Sequence, residues 1–86
     1  MGKYKLFFKP SALKEIESID NKQDRRRIVN RIRRLSDDPR PPGCEKLSGA
    51  DKFRVRQGRF RIVYSVRDEA LVVHVVKLAH RKDVYR

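Results

Sequence analysis

The sequence predicts an α+β domain of order β-α-α-β-β-β, with a helical hairpin packed on one face of a twisted, mainly antiparallel sheet. Three observations predict it. Apolar residues recur at helical spacing between Ala12 and Leu35, a proline-rich segment ends that pattern, and from Lys52 the period becomes two. The 86 residues, 38% of them hydrophobic, supply one two-layer core, so 1–86 reads as a single domain.

Tyr4 to Lys9 is aromatic-rich and suits a strand. Pro10 has the φ that a first helical turn requires, and Ala12, Leu13, Ile16 and Ile19 make one apolar stripe of a helix ending near Ile19. Asn21 is a good N-cap for a second helix, and Asp24 in its first turn complements the dipole. Ile28, Val29, Ile32 and Leu35 form its apolar stripe, while Arg25, Arg26, Arg31, Arg33 and Arg34 take the other faces. Pro39, Pro41, Pro42 and Gly43 stop it. Phe53 and Val55 then alternate with Lys52, Arg54 and Arg56, and Gln57-Gly58 supplies a turn. Phe60, Ile62, Tyr64 and Val66 alternate with Arg59, Arg61, Val63 and Ser65 up to a polar turn at Arg67-Asp68-Glu69. Ala70 to Ala79 is almost continuously apolar, as a strand covered on both faces would be.

Charge dominates the composition. Lys and Arg number 23 against 11 Asp and Glu, a formal net charge of +12. An excess this large in so small a domain points to a polyanionic partner, nucleic acid first and an acidic protein segment second. The alternation assigns Lys52, Arg54, Arg56, Arg59 and Arg61 to the side of two paired strands turned away from the core. Cross-strand neighbours lie about 5 Å apart, where like charges repel. Such a face loses stability unless a polyanion fills it, so phosphate is its natural ligand. Arg81 follows the last strand at the rim of this face, and Tyr85 offers a ring on which a base can stack.

Other classes are excluded. One cysteine, Cys44, makes no internal disulfide and fits a reducing compartment. No apolar run approaches the roughly 20 residues of a membrane span, and the first residues match neither a signal peptide nor a myristoylation motif, so a cytoplasmic protein is expected. Two histidines and one cysteine without ligand spacing make no zinc site, and no glycine-rich phosphate loop occurs. Neither metal nor cofactor is expected.

The run Phe53-Arg54-Val55-Arg56-Gln57-Gly58-Arg59-Phe60-Arg61-Ile62-Val63-Tyr64, an apolar strand, and the ending His80-Arg81-Lys82-Asp83-Val84-Tyr85 together resemble the RelE/ParE toxin superfamily. Cys44-Glu45-Lys46-Leu47-Ser48-Gly49 resembles the segment that precedes the sheet in those proteins. The resemblance covers nearly the whole chain, and the ending leans toward RelE.

The resemblance implies a toxin of a toxin–antitoxin pair that enters the ribosomal A site and cleaves mRNA without a metal, by attack of a ribose 2′-OH on the adjacent phosphodiester. In family terms Arg61 holds the scissile phosphate, Arg81 stabilises charge and donates a proton, and Tyr85 stacks on or orients the nucleotide. Lys52, Arg59 and Lys82 would add RNA contacts. Arg54 and Arg56 fall where well-studied members carry two lysines, one of them implicated as the base. Charged arginine has no acceptor atom and is a poor base, so Tyr85, Lys52 and His80 stand as candidates to accept the proton. His80 has the best unperturbed pKa for that task, whereas His74 in mid-strand reads as structural. Implied partners are a cognate antitoxin in a hetero-oligomer, the ribosome and mRNA. The alternatives are a ParE-like gyrase inhibitor and an RNA-binding module without catalysis.

Overall fold

The computed structural model describes residues 3–47 and 51–80. Strand β1 (Lys5–Phe8) leads into helices α1 (Pro10–Glu17) and α2 (Lys22–Asp37), followed by strands β2 (Glu45–Lys46), β3 (Lys52–Gln57), β4 (Phe60–Arg67) and β5 (Val72–His80). The sheet order is β1-β5-β4-β3-β2. β1 runs parallel to β5 and every other pairing is antiparallel. The expected α+β class, hairpin and meander are all present, with one strand more than the alternation revealed. β2 has only two residues, both polar, which is too short to display a period.

Local signals act where they were read. Pro10 opens α1, and Asn21 caps α2 by accepting from the backbone N–H of Gln23 (2.9 Å) and Asp24 (3.1 Å). α1 stops at Glu17, earlier than its apolar pattern, so Ile19 is buried from the interhelical connection. Ala12, Ile16, Ile28, Ile32 and Leu35 of the helices meet Phe53, Val55, Ile62, Tyr64, Val66, Val73, Val75 and Leu78 of the sheet in one core. Tyr64 is fully buried, and its hydroxyl donates to the Pro39 carbonyl at 2.7 Å, fastening the proline segment to the sheet.

β5 departs from expectation in two ways. It begins at Val72, because Leu71 sits at φ +53 in the preceding turn. It is also not covered on both faces: Val73, Val75 and Leu78 are buried, while Val72, His74 and Val76 are only half-buried. The register shifts between Val63 and Tyr64, whose partners are Lys77 and Val75, so Val76 is an extra residue. This bulge reverses the inward parity along β5, from Val73 and Val75 to Leu78. Beyond the end of β1, the Glu15 carboxylate of α1 accepts from the Leu78 N–H at 3.0 Å and covers the edge that β1 has left.

Candidate nucleic-acid interface

The core side of the sheet is filled by the helices, so the residues between the core positions face outward. On β3 these are Lys52, Arg54 and Arg56, and on β4 they are Arg61, Val63 and Ser65. Register then sets their neighbours. Arg56 lies directly opposite Arg61, Arg54 opposite Val63, and Lys52 opposite Ser65. Arg61 is flanked on its other side by Ala79, whose methyl group leaves the space above that row open. The hairpin joining the two strands turns over Gly58 and Arg59, with Gly58 at φ +61, a conformation that a side chain would strain.

One feature of this face was not anticipated. Glu45 of β2 pairs with Arg54, which donates to its Oε1 from Nε (3.1 Å) and Nη2 (2.7 Å). The Arg54 hydrogen bond and charge hold the Glu45 carboxyl below its usual range, and the fields of Arg56 and Arg61 push the same way. One carboxylate therefore lies in the field of three guanidinium groups, of which Arg54 alone contacts it. Among the described residues, Arg56 and Arg61 form no ion pair with any acid.

The remaining expected residues are distributed differently. Lys52 shares the face but lies four residues from Arg56, about 13 Å along the strand, beyond reach of a group held between Arg56 and Arg61. Arg59 belongs to the turn and lines a hollow on the helical side with Glu15, Asp20 and Asp24, so it is not part of the outer face. His80 lines that hollow too. It pairs with Phe60, on the core side of β4, and packs edge-on against that ring at 4.9 Å. The bulge at Val76 is the cause, since without it the parity of β5 would turn His80 outward. Arg81, Lys82 and Tyr85 lie outside the described residues.

Comparison with known proteins adds what geometry alone cannot. The family model described as "ParE toxin of type II toxin-antitoxin system, parDE" matches residues 6–85. The chain belongs to the RelE/ParE toxin family. It is 34% identical to a RelE-like toxin protein of Escherichia coli over 96% of this chain and 90% of that one. The isolated RelE toxin of Escherichia coli superposes with a TM-score of 0.78 at 30% identity, covering 95% of this chain and 90% of the other. RelE in the archaeal RelE–RelB complex of Pyrococcus horikoshii OT3 gives a TM-score of 0.79 at 26% identity, with 92% and 96% covered. The chain is thus a RelE-like toxin of the type II toxin–antitoxin class, folded as RelE is.

Within this family member, sequence reasoning missed Glu45 and Phe7. Glu45 sat in a segment quoted for its resemblance, yet nothing in its spacing tied it to Arg54, since the pairing depends on a two-residue strand. Phe7 of β1 pairs with His74, shares the outer face with it, and is 51% exposed. The aromatic run at the start of the chain reads as a strand, and only its pairing with β5 shows which ring faces outward.

Proposed function

We propose that this toxin is a metal-independent endoribonuclease that cleaves mRNA in the ribosomal A site and so arrests translation. The observation that carries the reading is the Arg56–Arg61 pair, two guanidinium groups opposite each other on an open sheet surface, neither in an ion pair among the described residues. A phosphodiester seated between them receives charge-assisted hydrogen bonds from both strands. As the 2′-oxygen attacks phosphorus, negative charge grows on the non-bridging oxygens, and fixed cations stabilise that state most strongly. The P–O5′ bond breaks, leaving a 2′,3′-cyclic phosphate and a 5′-hydroxyl. Two proton transfers complete the balance: one leaves the 2′-OH and one reaches O5′.

Glu45 supplies the acceptor that the arginines lack. In the free protein they depress its basicity. A phosphate bound between Arg56 and Arg61 draws that field to itself and restores it. Arg54 holds the carboxylate in place. By family resemblance, Arg81 donates the proton to O5′ and Tyr85 orients the nucleotide. His80, on the other side of the sheet, is not the base. Ribosome dependence fits so small a catalytic set, because the ribosome fixes the RNA geometry that the toxin would otherwise have to impose. The setting is the cytoplasm, where translating ribosomes are. A cognate antitoxin, as RelB is for the Escherichia coli RelE, would cover the cationic face and hold the toxin silent in a hetero-oligomer.

Toeprinting on translating ribosomes tests the reading: addition of the toxin should produce A-site cleavage ending in a cyclic phosphate. The ParE description of the matching family model favours a second reading, a gyrase-directed toxin. DNA breaks on expression, with mRNA left whole, would select it.

A further inference from the structure

We infer that the solvent face of α2 is a second RNA-binding surface, specific for the phosphate backbone of structured RNA and separate from the sheet face. Seven of the sixteen residues of α2 are Lys or Arg and only two are Asp. Two of the seven are otherwise engaged: Arg25 donates to the Ile19 carbonyl at 3.0 Å, and Arg31 is half-buried, its charge reaching Tyr64. The other five, Lys22, Arg26, Arg27, Arg33 and Arg34, are exposed. With Ile28, Ile32 and Leu35 pointing into the core, a period of 3.6 brings all five onto the opposite half of the helix. They form two rows, Lys22, Arg26 and Arg33 along one side and Arg27 and Arg34 along the other, over about 18 Å.

This arrangement weakens the isolated helix. Lys22–Arg26 and Arg27–Arg31 are like-charge pairs four residues apart, and none of the five exposed cations is paired with an acid among the described residues. Four of the five are arginine, which grips phosphate with two donors at once. The helix layer separates this ridge from the sheet, so the two cationic surfaces look in opposite directions. A single RNA strand lying on Arg56 and Arg61 cannot reach it. The toxin is therefore built to sit between two RNA surfaces, with the strand to be cut on the sheet and a folded RNA behind α2.

The test is fluorescence anisotropy with a perfectly paired RNA hairpin over a salt series, free of ribosomes. Three full-length proteins are compared: the natural chain, an Arg26→Gln/Arg27→Gln/Arg33→Gln/Arg34→Gln variant, and a charge-matched Lys3→Gln/Lys5→Gln/Lys9→Gln/Lys14→Gln control. Glutamine keeps the helical propensity, and circular dichroism checks that each is folded. The α2 variant should lose at least tenfold in affinity, and its log K against log salt slope should flatten by about 2–3. The control should change by less than threefold. Equal losses in both variants would mean diffuse charge and overturn the inference. So would an unchanged α2 variant, including one that has instead lost binding to an acidic helical peptide, which would make the face a protein-docking site. Failure of the nuclease reading is distinguishable, because Arg61→Ala should abolish cleavage while leaving hairpin binding at α2 intact.

Discussion

Arg54 spends two of its donors on a single oxygen of Glu45, so the arginine that opens the cationic face in sequence is the one already neutralised. Replacing Glu45 with Gln should therefore move two measurements in opposite directions. RNA binding should tighten and its salt slope steepen by about 0.7–0.9, as Arg54 becomes free to contact a phosphate. Cleavage should fall by roughly 10²–10⁴-fold, the usual contribution of a general base.

Arg56→Ala and Arg61→Ala should each lower the single-turnover cleavage rate by at least about 10²-fold, the scale for losing one transition-state contact. Neither should lower the melting temperature, because each relieves repulsion between facing like charges. Arg61→Lys should recover only part of the rate, since a lysine cannot make the two-pronged phosphate contact.

His80→Ala should retain cleavage within a few-fold, as that ring packs on Phe60 on the helical side. The pH profile checks this independently. The Glu45 carboxyl is held below its ordinary value of 4.5, so the acid limb of kcat/KM should fall below that value. A limb near pH 6.5 would restore a histidine base.

Tyr64→Phe removes the only described donor to the Pro39 carbonyl and should destabilise the fold by about 1–3 kcal/mol. Thermal unfolding should register this as a loss of several degrees. Burial pushes the Tyr64 hydroxyl well above its ordinary 10.0. A folded-state pKa above the unfolded value stabilises the protein fully below pH 10, and that contribution is lost progressively as pH rises further. Absorbance of tyrosinate should accordingly appear in two stages, the second coinciding with unfolding.

Asp68 accepts both Arg40 guanidinium donors, at 3.1 and 2.7 Å, and the Tyr4 hydroxyl at 2.8 Å. The Arg40 and Tyr4 hydrogen bonds hold its carboxyl below 3.8. The stability from this cluster is present above pH 3.8 and is lost as pH falls through the lowered value. Melting temperature followed against pH should show this acid-side loss, and Asp68→Asn should flatten it.

Most of the fold could be read because its signals are local. The Asn21 cap, the Pro10 start and the alternation of β3 and β4 each need only a few neighbouring residues. What could not be read depends on pairing. β2 exists only because Glu45 and Lys46 meet Arg54 and Phe53, and an almost continuously apolar β5 gives too little parity from which to see a bulge. The same division runs through the site. Lys52, Arg54, Arg56 and Arg61 fall on one face as alternation requires. Arg59 does not, because a turn residue obeys no strand period. The side taken by His80 depends on a residue four positions earlier.

That residue, Val76, turns the scaffold's chemistry into a matter of strand register. Point substitutions change what a position offers, but pairing β5 without the bulge at unchanged length would exchange the exposure of Lys77 to His80, bringing an imidazole round to the arginines and sending Ala79 inward. The side of the sheet that His80 serves is thus set by how β5 meets β4, with no side chain altered.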